Sequence, residues 1–300
     1  MSRNSASITL AAPAKINLSL RILGKRPDGF HEIETLMAPL CLADGIEIVH
    51  TADHDCTLTC NDPELPSGSD NLCIKAATEF RKSVGLDHGI AISLMKRIPH
   101  GAGLGGGSSD AAAVLKGLNE LFGHPLVQEE LHQIAANIGS DVAFFLGGVP
   151  AWCRGRGEII GHPMTLPERR ILLIKPPFPV PTAWAYDHYE KLKNSSNGMS
   201  SEKFQRIGEI EIINDLERPV FEKYILLPVL KLWLLEQPWV ESAFMTGSGS
   251  TLVALISPDA SQGSIVNLKE KITGEFGDSF WTTETRFLQK PSDDIHQIQG

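Results

Sequence analysis

A glycine-rich segment at residues 99–110 carries the clearest chemical signal in the sequence. It reads Pro-His-Gly-Ala-Gly-Leu-Gly-Gly-Gly-Ser-Ser-Asp, and five of these twelve residues are glycine. Glycine has no Cβ, so consecutive backbone N–H groups can converge on a phosphate that approaches the chain closely. A strand pattern at residues 90–95 precedes the segment and a helical pattern follows it. Because a helix start adds free N–H groups and the positive end of its dipole, the segment predicts a phosphate-binding loop.

The glycine pattern differs from two better-known phosphate loops. A P-loop requires Lys followed by Ser or Thr after its last glycine, whereas here the glycines lead into Ser-Ser-Asp. Gly101, Gly103 and Gly106 do match a dinucleotide fingerprint. That fingerprint would be followed by a helix and then a parallel strand, but this chain continues with two successive helical patterns. The context therefore argues against a P-loop enzyme and against an NAD-dependent dehydrogenase.

Lys15 and Asp141 are the residues that could handle charge and protons beside such a loop. Residues 14–23 alternate between apolar and polar types, which predicts a strand with one buried and one open face, and Asn17 shares the polar face with Lys15. A carboxylate can accept a proton from a hydroxyl nucleophile, and a nearby lysine favours the ionised carboxylate. Simpler alternatives stay open: Lys15 could be solvated, and Asp141 could cap a helix that begins at residue 142.

An aromatic pair follows a predicted turn near the N-terminus. The turn signal is Pro-Asp-Gly at residues 27–29, and Phe30 and His31 come next. A phenyl ring can stack on a flat base and an imidazole can hydrogen-bond to its edge, although such rings more often serve in packing.

The remaining pattern predicts alternating strands and helices along the whole chain. We expect a helix with Asp70 as its N-cap and another that begins at residue 109 or 110. Residues 147–167 are rich in proline and glycine and are interpreted as the join between two units. A second glycine turn lies at residues 246–251, and the tail after residue 289 is polar and expected to be loose.

Composition and charge argue against several classes of partner. The formal net charge is −9 and is spread along the chain, whereas a nucleic-acid binder would show a basic face. The sequence has no apolar run of the roughly 18–20 residues needed to cross a bilayer. Its first 13 residues lack the layout of a secretory signal, so we expect a cytoplasmic protein.

The five cysteines include no C-x-x-C pair, which argues against a disulfide framework. One group of metal-capable residues raises the alternative of a zinc site: His50, His54, Asp55, Cys56 and Cys60. Their spacing fits no standard zinc finger, and residues 56–60 have a strand pattern. We therefore expect ordinary strand cysteines there.

Three motifs resemble those of the kinase superfamily that includes galactokinase, homoserine kinase and mevalonate kinase. They are Ala-Pro-Ala-Lys-Ile-Asn-Leu at residues 12–18, the glycine-rich segment, and Thr-Gly-Ser-Gly-Ser at residues 246–250. Two further motifs, Asp-Gly-Phe-His at residues 28–31 and Ile-Gly-Ser-Asp-Val at residues 138–142, narrow the resemblance. Together with Gly-Gly-Gly-Ser-Ser they are similar to the 4-diphosphocytidyl-2-C-methyl-D-erythritol kinase family of the non-mevalonate isoprenoid pathway.

The resemblance implies a fold and a reaction. The fold would be the α/β (α+β) two-domain small-molecule kinase type, with an S5-like domain over residues 1–166, a ferredoxin-like domain over residues 167–300 and the active site in the cleft between them. The reaction would be ATP-dependent phosphorylation of the 2-hydroxyl of 4-diphosphocytidyl-2-C-methyl-D-erythritol. ATP chemistry implies Mg²⁺, for which the loop serines are the only candidate ligands. The oligomeric state is left open.

The resemblance also implies catalytic and nucleotide-binding roles. Asp141 would be the base and Lys15 its charge partner at the reacting hydroxyl. A nucleotide pocket near Asp70 and Asn71, with Lys96 close to the phosphates, is a further possibility beside a helix cap and a solvated strand end. The residues expected to bind ATP are Pro99, His100, Gly101, Ala102, Gly103, Leu104, Gly105, Gly106, Gly107, Ser108 and Ser109.

On the acceptor side, the resemblance implies that Phe30 stacks on the cytosine, at a position where the family usually has tyrosine. His31 would bond the edge of the base. Residues expected to contact the acceptor are Asn17, Phe30, His31, Thr182 and Tyr186, with Thr182 near the diphosphate or base and Tyr186 closing the stack. Phe178 and Trp184 are alternatives for that second ring.

Two alternative functions stay open at this stage. The first is another kinase of the same superfamily, which acts on homoserine or mevalonate, although the pair of rings suited to a flat base argues against it. The second is a catalytically silent ligand sensor on the same fold, against which the presence of both Lys15 and Asp141 speaks.

Overall fold

The structure is a computed structural model that describes residues 6–193 and 205–289; the predicted loose tail after residue 289 lies outside these. The first half of the described chain contains β1 (Ser7–Lys25), β2 (His31–Thr51), β3 (Cys56–Cys60), α1 (Leu72–Val84), β4 (Gly89–Met95), α2 (Gly106–Leu121), α3 (Gln128–Ile138), α4 (Ser140–Gly147), β5 (Ala151–Arg154) and β6 (Ile159–Pro163). The second half contains β7 (Arg170–Lys175), α5 (Thr182–Lys193), β8 (Gln205–Ile207), β9 (Ile210–Asn214), α6 (Glu217–Lys223), α7 (Leu226–Leu235), β10 (Val240–Met245), β11 (Leu252–Ile256), α8 (Gln262–Phe276) and β12 (Trp281–Arg286).

The first sheet is built on the long antiparallel hairpin of β1 and β2, which the predicted turn at residues 27–29 closes. Its strands follow the order β3-β4-β2-β1-β9-β8, and the β5–β6 hairpin joins beside β2. The β8–β9 hairpin comes from the C-terminal half of the chain and pairs in parallel with β1. Apolar residues of α1, α2 and α4, among them Phe80, Leu118 and Phe144, share one buried core with this sheet.

The second sheet is fully antiparallel and follows the order β10-β11-β7-β12. Along the chain its strands and helices run β7, α5 to α7, β10, β11, α8 and β12, which is the β-α-β-β-α-β arrangement of ferredoxin-like domains. Leu172 and Ile174 of β7, with Leu227 and Leu230 of α7, belong to the core between this sheet and its helices.

A third core joins the two sheets and determines where polar groups of β1 lie. Ile16 and Leu18 pack with Ile171 and Leu173 of the second sheet. The prediction of an open polar face on β1 is wrong for Lys15, Asn17 and Ser19, which are 5 %, 4 % and 2 % exposed, and holds at Arg21, whose side chain is 45 % exposed. Strand alternation correctly separated the two faces, but both are covered over residues 15–19.

Several predicted boundaries differ from the structure. Asn71, not Asp70, is the N-cap of α1, since its side chain accepts a hydrogen bond from the Cys73 N–H. Helix α2 begins at Gly106 and so includes two of the loop glycines. Residues 147–167 hold β5 and β6 and are therefore not only a join. The expected strand at residues 56–60 is confirmed as β3.

Candidate active site

The glycine-rich segment forms a tight loop that leads into α2. Gly101, Gly103 and Gly105 all have positive φ angles, of 62°, 77° and 70°, which disfavour residues with a Cβ. Gly105 is the N-cap of α2, and its carbonyl accepts a hydrogen bond from the Ser109 N–H. The N–H groups at the start of a helix have no partners within that helix. The loop and helix start together can therefore present several N–H groups to an anion.

Gly103 fixes the loop against the second predicted glycine turn. A Cβ on Gly103 would lie 2.8 Å from the carbonyl oxygens of both Thr246 and Gly249. This close approach of two backbones explains why the second and third family motifs, far apart in the chain, both contain glycine.

Gly105 brings the loop onto Lys15. A Cβ at this position would lie 3.0 Å from Cγ of Lys15 and 3.0 Å from Cζ of Phe145. The Lys15 N–H also donates a 2.9 Å hydrogen bond to the Leu104 carbonyl. The N-terminal strand and the loop are thus in direct contact at the residue predicted to be catalytic.

Two cavities are lined by residues of this loop. The loop cavity, about 370 Å³, is lined by the segment from Pro99 to Ser108 together with Asp70, Asn71 and Lys96. The cleft cavity, about 570 Å³, is lined by residues of both halves of the chain. Gly103 and Gly105 line both cavities. Ligands in the two cavities would therefore both lie beside these two glycines.

A hydrogen-bond network holds Lys15 in the cleft. Its Nζ donates to Oδ1 of Asn17 at 2.7 Å, and the Asn17 amide nitrogen donates to Oγ1 of Thr35 at 2.7 Å. Thr246 accepts a 2.8 Å hydrogen bond from the Asn17 N–H. Asn17 and Thr246 belong to the first and third motifs, so the network joins them around the ammonium group. Sequence analysis named Asn17 but missed Thr35, whose position next to Asn17 depends on the register of β1 and β2.

Asp141 lies at the N-terminal end of α4, facing Lys15. Gly139 is the N-cap, and Asp141 lies in the first turn, where the helix dipole favours a negative charge. Its Oδ2 is 3.3 Å from Nζ of Lys15, and its side chain is 30 % exposed whereas that of Lys15 is 6 % exposed. The Lys15 side chain is thus nearly closed off from solvent, whereas the Asp141 carboxylate is open to the cleft cavity.

The other predicted acceptor residues line the same cavity. Phe30 is 53 % exposed and carries the Arg156 guanidinium over its ring at 4.9 Å. The ring that stacks on Tyr186 is that of His31, with ring centroids 5.0 Å apart and an interplanar angle of 26°. Burial, followed by the charge of Asp141, raises the pKa of Tyr186. Thr182 begins α5 and shares a 2.9 Å hydrogen bond with Ser248.

Arg156 was missed by the sequence analysis. It lies between Gly155 and Gly157, both of which have positive φ angles, in a turn that presents its side chain to the cleft cavity. An arginine within Arg-Gly-Arg-Gly, next to a glycine-containing turn, was the available signal.

Three buried ionisable side chains, those of Asp44, Lys96 and Asp110, contact one another beside the loop cavity. Nζ of Lys96 lies 2.5 Å from Oδ2 of Asp44 and 2.7 Å from Oδ2 of Asp110. Burial raises the pKa of Asp110 to about 7, with a further rise from Asp44, although the Lys96 charge opposes this. Burial lowers the pKa of Lys96, but its two carboxylate partners outweigh this, so that the net pKa is raised. The sequence analysis placed Lys96 near the phosphates but did not predict its ion pairs with Asp44 and Asp110.

The described parts of the chain contain one group of three side chains that could hold a metal ion. It consists of Asp62, Glu64 and His100, and the candidate zinc residues at positions 50–60 do not form such a group. Within the same described ranges, none of the helices has both the length and the apolar character needed to cross a bilayer.

Comparison with known proteins identifies relatives of this chain. Residues 71–148 match the family described as GHMP kinases N terminal domain. A 4-diphosphocytidyl-2-C-methyl-D-erythritol kinase from Methylacidiphilum infernorum is 46 % identical over 83 % of this chain and 86 % of its own length. One from Protochlamydia amoebophila is 40 % identical over 83 % of this chain and 84 % of its own.

Solved structures agree with these relatives. A crystal structure of 4-(cytidine 5'-diphospho)-2C-methyl-D-erythritol kinase superposes with a TM-score of 0.74 at 32 % identity, covering 94 % of this chain and 100 % of that one. A homoserine kinase from Cytophaga hutchinsonii superposes with a TM-score of 0.67 at 18 % identity, covering 96 % of each chain, which shows the fold alone. The predicted fold type and the prediction of an ATP-dependent kinase are thereby confirmed. The chain belongs to the GHMP kinases and, within them, to the 4-diphosphocytidyl-2-C-methyl-D-erythritol kinase family.

Proposed function

We propose that the protein transfers the terminal phosphoryl group of ATP to the 2-hydroxyl of 4-diphosphocytidyl-2-C-methyl-D-erythritol, as a step of isoprenoid biosynthesis. The observation that carries the proposal is the position of the Lys15–Asp141 pair. Lys15 and Asp141 line the cleft cavity, beside Gly103 and Gly105, which also line the loop cavity. Two substrates that each occupy one cavity would meet beside this pair. We further expect a cytoplasmic enzyme that acts on small molecules only.

ATP would occupy the loop cavity, with its phosphates on the glycine-rich loop. Lys96 is paired with two carboxylates, so much of the phosphate charge would be met by backbone N–H groups at the start of α2. Mg²⁺ fits this arrangement as an ion that the phosphate oxygens would largely coordinate. The Ser108 hydroxyl, in the wall of the loop cavity, could serve as its protein ligand. Bound there, the ion would neutralise charge on the transferred group.

The acceptor hydroxyl would lie at Asp141. The Asp141 carboxylate is open to the cleft cavity and would accept the hydroxyl proton as the oxygen attacks the γ-phosphorus and the bond between that phosphorus and the departing ADP breaks. Lys15 is held by Asn17 at fixed distance from the carboxylate, and its charge would stabilise the developing alkoxide and the passing phosphoryl group. Because phosphoryl transfer depends mainly on positioning, this rigid support would contribute to the rate.

The cytidine end of the acceptor would lie on the opposite wall of the cleft cavity. Phe30 presents an exposed ring suited to stacking, and Arg156 supplies hydrogen-bond donors and a positive charge beside it. Thr182, at the start of α5, would contribute its hydroxyl to the diphosphate. Tyr186 would limit the depth of the cavity while it holds His31.

A substrate panel tests this function directly. ADP release is measured with Mg²⁺-ATP and, separately, 4-diphosphocytidyl-2-C-methyl-D-erythritol, homoserine or mevalonate. We expect turnover with the cytidine compound alone. ADP release only with homoserine or mevalonate would replace the proposed substrate, and binding of the cytidine compound without ADP release would indicate a silent sensor.

A further inference from the structure

Two buried polar atoms face each other behind the cleft cavity and have no use in the proposed chemistry. Nε2 of His31 and Oε1 of Glu190 are 3.4 Å apart, and the two side chains are 7 % and 28 % exposed. Both atoms are closed off from solvent, and neither has a hydrogen-bond partner among the described residues. Since unpaired buried polar atoms are costly, this pair is best explained as an N–H···O contact slightly longer than ideal.

Helix α5 fixes the orientation of the imidazole on a second side. Tyr186 and Glu190 are four residues apart on α5, so they lie on the same face of the helix. The Tyr186 ring stacks on the imidazole while Glu190 faces its Nε2 edge. Two residues from the other half of the chain therefore restrain the orientation of the His31 ring, Tyr186 by stacking on its face and Glu190 by the contact at its edge.

The carboxylate determines which ring nitrogen carries the proton. An ionised carboxylate only accepts hydrogen bonds, so it favours the neutral tautomer with the hydrogen on Nε2. Nδ1 is then an unprotonated acceptor. His31 lines the cleft cavity, and Nδ1 is not among the closed-off ring atoms.

We propose that Glu190 is a positioning residue that sets the tautomer of His31 and thereby selects cytosine over uracil. This rests on the proposed function. Cytosine carries an exocyclic amino group that donates a hydrogen bond, whereas uracil has a carbonyl oxygen at the same place. An acceptor at Nδ1 pairs with the amino group and repels the carbonyl oxygen. A site with a fixed acceptor rejects the wrong base because its polar groups would be left unpaired.

The first test changes Glu190→Gln, which keeps the shape but can either donate to or accept from Nε2. The ratio of kcat/KM for the cytidine substrate to that for its uridine analogue is measured by ADP release at pH 8. We expect this ratio to fall by about tenfold or more, mainly through KM for the cytidine substrate. Glu222→Gln, the same chemical change at an exposed position of α6, is the matched control and should leave the ratio unchanged. An unchanged ratio in Glu190→Gln would overturn the proposal.

The second test needs no substrate and does not depend on the proposed function. Nitrogen-15 NMR of histidine-labelled protein at pH 8 distinguishes the two neutral tautomers, and the His31 signals are assigned by their loss in His31→Gln. We expect the Nε2–H tautomer in the unsubstituted protein and a mixture in Glu190→Gln. A dominant Nδ1–H tautomer in the unsubstituted protein would refute the inference even if Glu190→Gln fails to fold. If the unsubstituted protein shows the Nε2–H tautomer but no turnover of the cytidine substrate, the proposed function fails and the tautomer assignment stands.

Discussion

Substitution of Gly105 by alanine should damage both stability and catalysis, because this glycine touches the catalytic lysine. The new Cβ would lie 3.0 Å from Cγ and 3.1 Å from Cε of Lys15, and 3.0 Å from Cζ of Phe145. Contacts this short force the neighbours to move. Lys15 cannot move freely, since Asn17 and Asp141 both hold its ammonium group.

The expected cost has two parts. At a φ of 70°, an L-residue pays roughly 1–2 kcal/mol for the left-handed conformation. Overpacking of a filled site adds typically about 1–3 kcal/mol. Gly105→Ala should therefore lower the free energy of unfolding by about 2–5 kcal/mol. A displacement of Lys15 by a few tenths of an ångström would in addition lower kcat, by less than the roughly 10²-fold that a 1 Å misplacement costs.

Gly85 provides a matched control for the backbone part. It ends α1 with a φ of 65°, and a Cβ there would meet no atom within 4 Å. Gly85→Ala should cost only the roughly 1–2 kcal/mol of the left-handed conformation and leave kcat unchanged. Urea unfolding gives the stability of each variant, and coupled ADP release gives kcat and KM.

The difference between the two variants isolates the contact with Lys15. If Gly105→Ala lost no more stability than Gly85→Ala and kept the unsubstituted kcat, then neither the close packing nor the importance of the Lys15 position would hold.

Two further predictions concern the carboxylates beside the loop. Asp141→Asn should bind both substrates and lose on the order of 10²–10⁴-fold in kcat, since the amide cannot accept the hydroxyl proton; near-full kcat, with KM values unchanged, would remove Asp141 from the mechanism. Asp110 has a pKa of about 7 in the folded protein, above its ordinary value of 3.8, so the folded state binds the proton more tightly than the unfolded state. The stabilisation that comes from protonated Asp110 is therefore fully present below about pH 4. The free energy of unfolding then falls by roughly 1 kcal/mol per pH unit as the pH rises to about 7. Asp110→Asn should flatten this part of the dependence of unfolding free energy on pH, measured by urea unfolding from pH 4 to 8; an unchanged slope would show that Asp110 does not titrate in this range.

Local sequence patterns were sufficient to predict several individual strands, helices and turns and the chemical character of their residues. Alternation in residues 14–23 predicted β1 and placed Lys15 and Asn17 on one face, because side-chain direction in a strand has a period of two. The density of glycine at residues 101–107 predicted a tight loop before a helix, because few other residues adopt positive φ angles. The order of motifs pointed to the kinase superfamily, and membership in it is confirmed.

The sequence analysis placed the starts of two helices wrongly, because neighbouring residues compete for the capping position. Asp70 and Asn71 are both good helix caps, and the choice of Asn71 follows from the contact that its side chain makes with Cys73. Gly106 and Gly107 have a low intrinsic preference for helix, yet α2 begins there because its packed face holds the first turn in place.

Contacts between residues far apart in the chain could not be predicted from local patterns. Lys15 and Asn17 are buried because residues far away in the chain, such as Gly105 and Thr246, lie against them. The pairing of Asp44 with Lys96 or of Glu190 with His31 likewise depends on how whole elements pack. Local patterns report periodicity and backbone preference, whereas these contacts depend on the relative placement of sheets and helices far apart in the chain. That placement is set by the summed burial of apolar residues in the three cores, which no short segment of the sequence records.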